Sequence, residues 1–132
     1  MSKTRTITLT NQPPVTIHED NWPIIASASD DWHDGQYDCQ SNRWTKWFVG
    51  VRQHADGRCI VYAIYAHITS RSGERSYSAR RGHLPQPGGD IVDAIRKVCS
   101  EISEAECYGD DSDRWPTLAA DCIADLPAVA LD

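Results

Sequence analysis

Two runs of β-branched and aromatic residues, at 43–54 and 58–69, do most to limit how this chain can fold. The short segment between them contains Asp56-Gly57, a dipeptide typical of tight β-hairpin turns. The pattern therefore predicts two long antiparallel strands joined by a two-residue turn.

The position of this turn determines which side chains share a face of the hairpin, because side chains alternate along a strand. With Asp56 and Gly57 as the turn, Val51 lies opposite Tyr62 and Val49 lies opposite Ile64. The predicted core face comprises Trp47, Val49, Val51, Ile60, Tyr62, Ile64 and Ala66. The other face interleaves aromatic rings with cations, and its predicted binding residues are Trp44, Lys46, Phe48, Arg52, Tyr65 and His67.

The flanking segments complete the predicted fold. Residues 4–10 alternate as a strand, residues 75–82 resemble a third strand of the meander, and residues 29–42 are polar and predict a loop. Apolar residues recur at helical spacing over 91–105, after the capping residue Asp90, and over 115–126, before Pro127. The motif Asp-x-Trp-Pro occurs at Asp20 and at Asp113, and we interpret both as helix starts.

The predicted order is β-α-β-β-β-α-α, in one α+β domain that spans residues 1–132. A three- to four-stranded antiparallel sheet should pack against helices. Whether the first helix covers the far face of the hairpin, or leaves it exposed, is open at this stage. A chain of 132 residues with 40% hydrophobic residues is long enough to bury such a core without a metal or a disulfide.

Motifs for catalysis, phosphate binding and metal binding do not occur in the sequence. It has no G-x-x-x-x-G-K-[ST], H-E-x-x-H or G-x-S-x-G, and its five histidines show no ligand spacing. We therefore predict no catalytic residue, no cofactor and no metal. The absence of a long apolar run and of a signal peptide predicts a cytoplasmic protein with no membrane partner. Five cysteines without a C-x-x-C pair predict free thiols.

Charge is unevenly distributed along the chain, although the net charge is −6. Residues 1–42 carry −4, residues 43–83 carry +6 and residues 84–132 carry −8. This asymmetry is a hint about partners. Alternatively, the basic middle segment is neutralised within the molecule by the acidic helices.

Three segments of the chain resemble a known group of proteins. They are VRQHADGRCIVYAIY at 51–65, GERSYSARRG at 73–82 and DRWPTLAADCIADLP at 113–127. The chain is similar over residues 22–127 to small, largely uncharacterised proteins encoded by phages, plasmids and integrative elements of proteobacteria. The resemblance implies an accessory gene on mobile DNA, a setting in which small acidic proteins sometimes block host defence complexes.

Three functions follow from these features. The leading hypothesis is a non-enzymatic binding protein of a mobile genetic element, which acts by covering a surface of another protein. An inhibitor of a host defence complex is one specific form of it, and a host nucleoprotein complex is a candidate partner. The second hypothesis is a single-stranded nucleic-acid-binding protein that uses the aromatic and basic sheet face, although an acidic chain is unusual for such a domain. An enzyme of unrecognised type is the third.

Overall fold

The protein is built from six strands and two helices, with short 3₁₀ turns at Glu19–Asn21 and Gly109–Arg114. The computed structural model describes residues 3–34, 43–70, 73, 75–86, 89–106 and 109–128. The strands are β1 (Thr4–Leu9), β2 (Gln12–His18), β3 (Ile24–Asp34), β4 (Arg43–Gln53), β5 (Cys59–Thr69) and β6 (Tyr77–His83). The helices are α1 (Ile91–Glu106) and α2 (Trp115–Ala124).

Three layers make up this α+β fold. The central layer is an antiparallel sheet in the order β3-β4-β5-β6. Helices α1 and α2 pack on one face of the sheet and form the main core with it. The two-stranded β1–β2 hairpin packs on part of the opposite face, where it forms a second, smaller core. The α+β class and the antiparallel sheet predicted from the sequence are confirmed.

The predicted register of the β4–β5 hairpin is wrong by one residue. Val51 lies opposite Val61, not Tyr62, and Val49 lies opposite Ala63, not Ile64. The reason is the loop, which has three residues instead of two. Gly57 has a φ of +96°, and no other residue of the loop has a positive φ. A two-residue turn of the expected type needs positive φ at both positions, whereas a three-residue loop needs it only at the last one.

This shift inverts the faces of β5 relative to those of β4. The β4 residues Trp47, Val49 and Val51 are buried under the helices as predicted. On β5, however, the residues under the helices are Cys59, Val61, Ala63 and Tyr65. The predicted core residues Ile60 and Tyr62 are buried instead on the opposite face, under the β1–β2 hairpin. Ile64 and Ala66, which were also predicted in the core, lie on that opposite face too and are only half-buried.

The predicted first helix after Asp20 does not form. A single 3₁₀ turn is followed by the long edge strand β3, which pairs with β4 as far as Asp34. Pairing with β4 and burial of Ala26 under the helices outweigh the weak strand preference of the Ser- and Ala-rich segment. Residues 29–34 thus belong to a strand, while residues 35–42 of the predicted loop lie outside the described residues.

The N-terminal segment folds back on itself as a β-hairpin. Asn11, with a φ of 59°, allows the tight turn between β1 and β2, a strand that the sequence analysis missed because of Pro13 and Pro14. Both prolines are tolerated because this two-stranded sheet consists of edges. Ile7 and Leu9 of β1 are buried, as the alternation of residues 4–10 implies. The inner side of the hairpin therefore supplies the cover for one end of the main sheet.

The two C-terminal helices follow the prediction closely. The backbone N–H of Asp93 donates to the Asp90 carboxylate at 3.0 Å, so Asp90 caps α1 as predicted. The predicted meander strand is confirmed as β6. Within the described part of the chain, no helix is long and apolar enough to span a membrane.

Candidate functional site

The six predicted binding residues do not form one surface. Trp44, Lys46, Phe48 and Arg52 alternate along β4 and do share the sheet face opposite the helices. Tyr65 and His67, however, lie on the helix side of β5 because of the register shift. The expectation that all six face the same way is therefore wrong, and it fails at the β5 half of the set.

Arg52 lies on the expected face but is only 6% exposed, because the β1–β2 hairpin and its connection to β3 cover it. Its Nε donates to the Tyr62 hydroxyl at 2.9 Å, and its Nη1 donates to the carbonyl of Trp22 at 3.0 Å. Its Nη2 lies 3.8 Å from the Glu19 carboxylate. A guanidinium used in this way joins the hairpin to the sheet and is not available to a partner.

Tyr65 is fully buried and anchors the segment between the helices. Its hydroxyl donates to the Asp111 carboxylate at 2.5 Å, while the Trp47 indole N–H donates to the Asp111 carbonyl at 2.9 Å. His67 is half-buried on the same side, with its Nδ1 3.4 Å from the hydroxyl of Thr45. Both residues thus contribute to the helix-side packing instead of to an open face.

The β1–β2 hairpin covers only one end of its sheet face, and the other end is open. Trp44 and Ile68, which face each other across β4 and β5, are 41% and 42% exposed. Lys46 and Arg80 are also exposed. We define the open sheet surface as this end of the face, comprising Trp44, Lys46, Phe48, Ile64, Ala66, Ile68 and Arg80.

Cross-strand pairing arranges this surface with an apolar centre and a polar rim. The central strands β4 and β5 supply the rings and aliphatic side chains. On the β3 edge, Ser29 lies opposite Phe48 and Asp31 lies opposite Lys46. On the β6 edge, Arg80 lies opposite Ile64. An apolar centre with a polar rim is the usual anatomy of a protein–protein interface.

Phe48 joins the open and covered ends of the face. Its ring leans back over Gly50, where a Cβ atom would lie 2.6 Å from the Cζ of Phe48. There it packs on Tyr62, with ring centroids 5.4 Å apart. Phe48 is consequently half-buried, and Trp44 is the more exposed of the two aromatic residues of the open sheet surface. The Lys46 ammonium lies 5.1 Å from the centre of the Trp44 ring, a cation–π contact that holds both side chains over the surface.

Four residues of the open sheet surface were missed by the sequence analysis: Ile64, Ala66, Ile68 and Arg80. These residues share the face of Trp44 only in the observed register of β5, and the predicted register differs from it by one residue. The sequence is compatible with the observed register as well, since Ala55-Asp56-Gly57 also fits a three-residue loop that ends in glycine.

The described cysteines are buried, and their thiols are expected to be unreactive in the native protein. Cys59, Cys99 and Cys122 are free thiols, as predicted, whereas Cys39 and Cys107 lie outside the described residues. Burial raises the pKa of Cys99 to about 12 and that of Cys122 to about 11, so both stay protonated at neutral pH. Among the residues that the structure describes, no three His, Cys, Asp or Glu side chains cluster to hold a metal ion.

Comparison with protein-family models, with curated proteins and with solved structures finds no match for this chain. The open sheet surface is therefore the main structural feature from which a function of this chain can be inferred.

Proposed function

We propose that this chain is a non-enzymatic binding protein that acts by protein–protein contact through the open sheet surface. The observation that carries the proposal is the pair of large apolar side chains, Trp44 and Ile68, exposed side by side on the sheet. Burial of such side chains is the main source of affinity in protein interfaces, and tryptophan is among the residues most often found at their energetic centres.

The charges around this surface define the kind of partner. Lys46 lies among the apolar side chains and Arg80 lies on the β6 edge, while Asp31 is the acid on the β3 edge. The partner that fits is a protein with an apolar ridge or pocket and carboxylates at its border. The resemblance to accessory proteins of mobile elements supports a search among host defence complexes first, and inhibition of such a complex is the specific role that we propose.

Binding of single-stranded nucleic acid is less well supported. It requires several cations beside stacking rings. Arg52, one of the cations expected on this face, is engaged in the hairpin junction. Of the expected stacking rings, Tyr65 is buried on the helix side and Phe48 is half-buried against Tyr62. Trp44, Lys46 and Arg80 remain, and Asp31 next to Lys46 opposes a phosphate backbone.

Affinity capture with matched variants tests the proposal. The tagged wild-type protein, Ile68→Asp and Leu84→Asp are used to capture partners from a lysate of the host cell, with and without nuclease. Ile68 and Leu84 are almost equally exposed, at 42% and 40%, but Leu84 follows β6 and lies outside the open sheet surface. We expect a protein that is retained by the wild type and by Leu84→Asp but lost with Ile68→Asp.

The nuclease arm separates the two macromolecular partners. Capture that survives nuclease and depends on Ile68 supports protein binding. Capture that disappears with nuclease would show that nucleic acid is the ligand, and the logarithm of its binding constant should then fall linearly with the logarithm of salt concentration. Equal capture by both aspartate variants would contradict the assignment of this surface.

A further inference from the structure

The two helices enclose an apolar groove on the outer side of the molecule, away from the sheet. The groove has a volume of about 420 Å³, and its walls are mainly apolar or small side chains. Ser100 and Ser103 of α1 line one wall, and Pro116, Ala120 and Ile123 of α2 line the other. Small side chains along both walls allow the backbone of another helix to approach closely.

Helix α2 is apolar on almost its whole circumference, although one side of it faces solvent. Its ten residues, WPTLAADCIA, include a single charge, at Asp121. Trp115, Leu118 and Cys122 are buried against the core, but Pro116 and Ala120 are exposed. A helix that is apolar all round is usually buried on every side. The groove side of α2 therefore has the composition of an interface.

Two charged residues of α1 limit the kind of partner that the groove can bind. Arg96 and Glu104 are both exposed and line the groove at its two ends. They are eight residues apart on one face of the helix, a separation of about 12 Å, with Ser100 midway between them. Neither side chain takes part in an ion pair with any other residue that the structure describes. The groove thus offers a positive charge at one end and a negative charge at the other.

We propose that this groove binds a second copy of the chain, so that the protein forms a symmetric dimer through α1 and α2. A two-fold axis that passes near Ser100 sets α1 antiparallel to its copy. Each Arg96 then meets the Glu104 of the other protomer, and the apolar walls of the two grooves face each other. A two-fold interface has to be self-complementary in this way. A uniformly basic or acidic partner would leave one of the two charges opposed by its own sign.

Sedimentation equilibrium of charge-reversal variants tests the proposal. The wild-type protein should sediment as a dimer at micromolar concentration. Arg96→Glu alone, or Glu104→Arg alone, replaces both ion pairs of the interface with like charges and should weaken the dimer about tenfold or more. The double variant Arg96→Glu/Glu104→Arg restores both pairs with their signs exchanged, and its dissociation constant should return to near the wild-type value.

Lys97→Glu is the matched control, because Lys97 is adjacent to Arg96 but pairs with Asp93 and lies outside the groove lining. It should leave the dimer unchanged. A wild-type protein that stays monomeric at high micromolar concentration would overturn the proposal and leave the groove to another partner. A dimer that ignores the single reversals, or a double variant that fails to recover, would overturn the antiparallel arrangement.

Discussion

Replacement of Arg52 by methionine tests the assignment of this residue to the junction between the hairpin and the sheet. Methionine retains an apolar stem but removes the guanidinium and its hydrogen bonds to the Tyr62 hydroxyl and the Trp22 carbonyl. Hydrogen bonds that involve a charged group contribute about 1.5–3 kcal/mol each, so the loss of two of them costs about 3 kcal/mol or more. We therefore expect Arg52→Met to lower the free energy of unfolding by about 3–5 kcal/mol.

Lys46→Met is the matched comparison, since Lys46 occupies the same strand and the same face but is exposed. Loss of its cation–π contact with Trp44 costs about 0.5–1 kcal/mol at most. For a domain of this size, 1 kcal/mol corresponds to about 4 °C in Tm. Thermal unfolding followed by circular dichroism should thus show a decrease of about 12–20 °C for Arg52→Met and of no more than about 4 °C for Lys46→Met.

A double-mutant cycle identifies the hydrogen bond itself. Tyr62→Phe removes the acceptor of the Arg52 Nε–H, so the two changes should be less than additive in the free energy of unfolding. Equal Tm values for Arg52→Met and Lys46→Met would refute the reasoning. In that case Arg52 would be an exposed cation of the sheet face, as the sequence first suggested.

Three further properties can be measured on the same protein. Tyr65→Phe removes the hydroxyl that holds the segment between the helices and should destabilise the protein by about 1.5–3 kcal/mol in urea titrations. Cys99 and Cys122, whose pKa values are raised by burial, should react with a thiol reagent at pH 8 only after unfolding, and fast labelling of either residue in the native protein, located by peptide mass spectrometry, would contradict their burial. The hydrogen bond from Arg5 lowers the pKa of Glu19 below its ordinary value of 4.5. The resulting stability is complete above pH 4.5 and lost as the pH falls through the lower folded value, so Glu19→Gln should show a smaller loss of stability from pH 7 to pH 3 than the wild type does.

The hairpin at the centre of the fold could be predicted from the sequence, but its register could not. The segment CIVYAIYA of β5 is apolar on both faces, because the helices cover one face and the β1–β2 hairpin covers the other. Alternation, which normally reveals the buried side of a strand, is therefore absent there. The register could then be inferred only from the loop, whose sequence fits both a two-residue and a three-residue turn.

The repeated Asp-x-Trp-Pro motif shows how tertiary contacts decide local structure. At Asp113 the motif precedes α2, whose buried residues Trp115 and Leu118 pack on the core. At Asp20 the same four positions precede a strand, because the chain that follows pairs with β4 along its whole length. The same four-residue motif is thus followed by a helix where the next segment packs on the core, and by a strand where the next segment pairs with β4.

Only those residues of the candidate site that lie on one strand could be predicted from the sequence. Trp44 and Lys46 lie two residues apart on one strand, so their common face follows from alternation alone. Ile68 and Arg80 belong to neighbouring strands, and their proximity to Trp44 depends on the register and on the strand order. Arg52 is buried by the β1–β2 hairpin, and strand β2 of that hairpin was not predicted from the sequence.

The two proposed surfaces lie on opposite sides of the central sheet, so the two proposals can fail separately. The open sheet surface faces away from the helices, and the groove lies on the outer side of the helix layer. A dimer joined through the grooves would carry two open sheet surfaces on its outer sides, and two such surfaces raise the affinity for a partner that presents two copies of its own site. Ile68→Asp should therefore abolish partner capture and leave the sedimentation of the dimer unchanged. Arg96→Glu should weaken the dimer and still allow capture, with lower retention on a dense surface of partner. If one substitution removed both properties, the surfaces would be coupled, and the separation of binding and self-association by the sheet would be refuted.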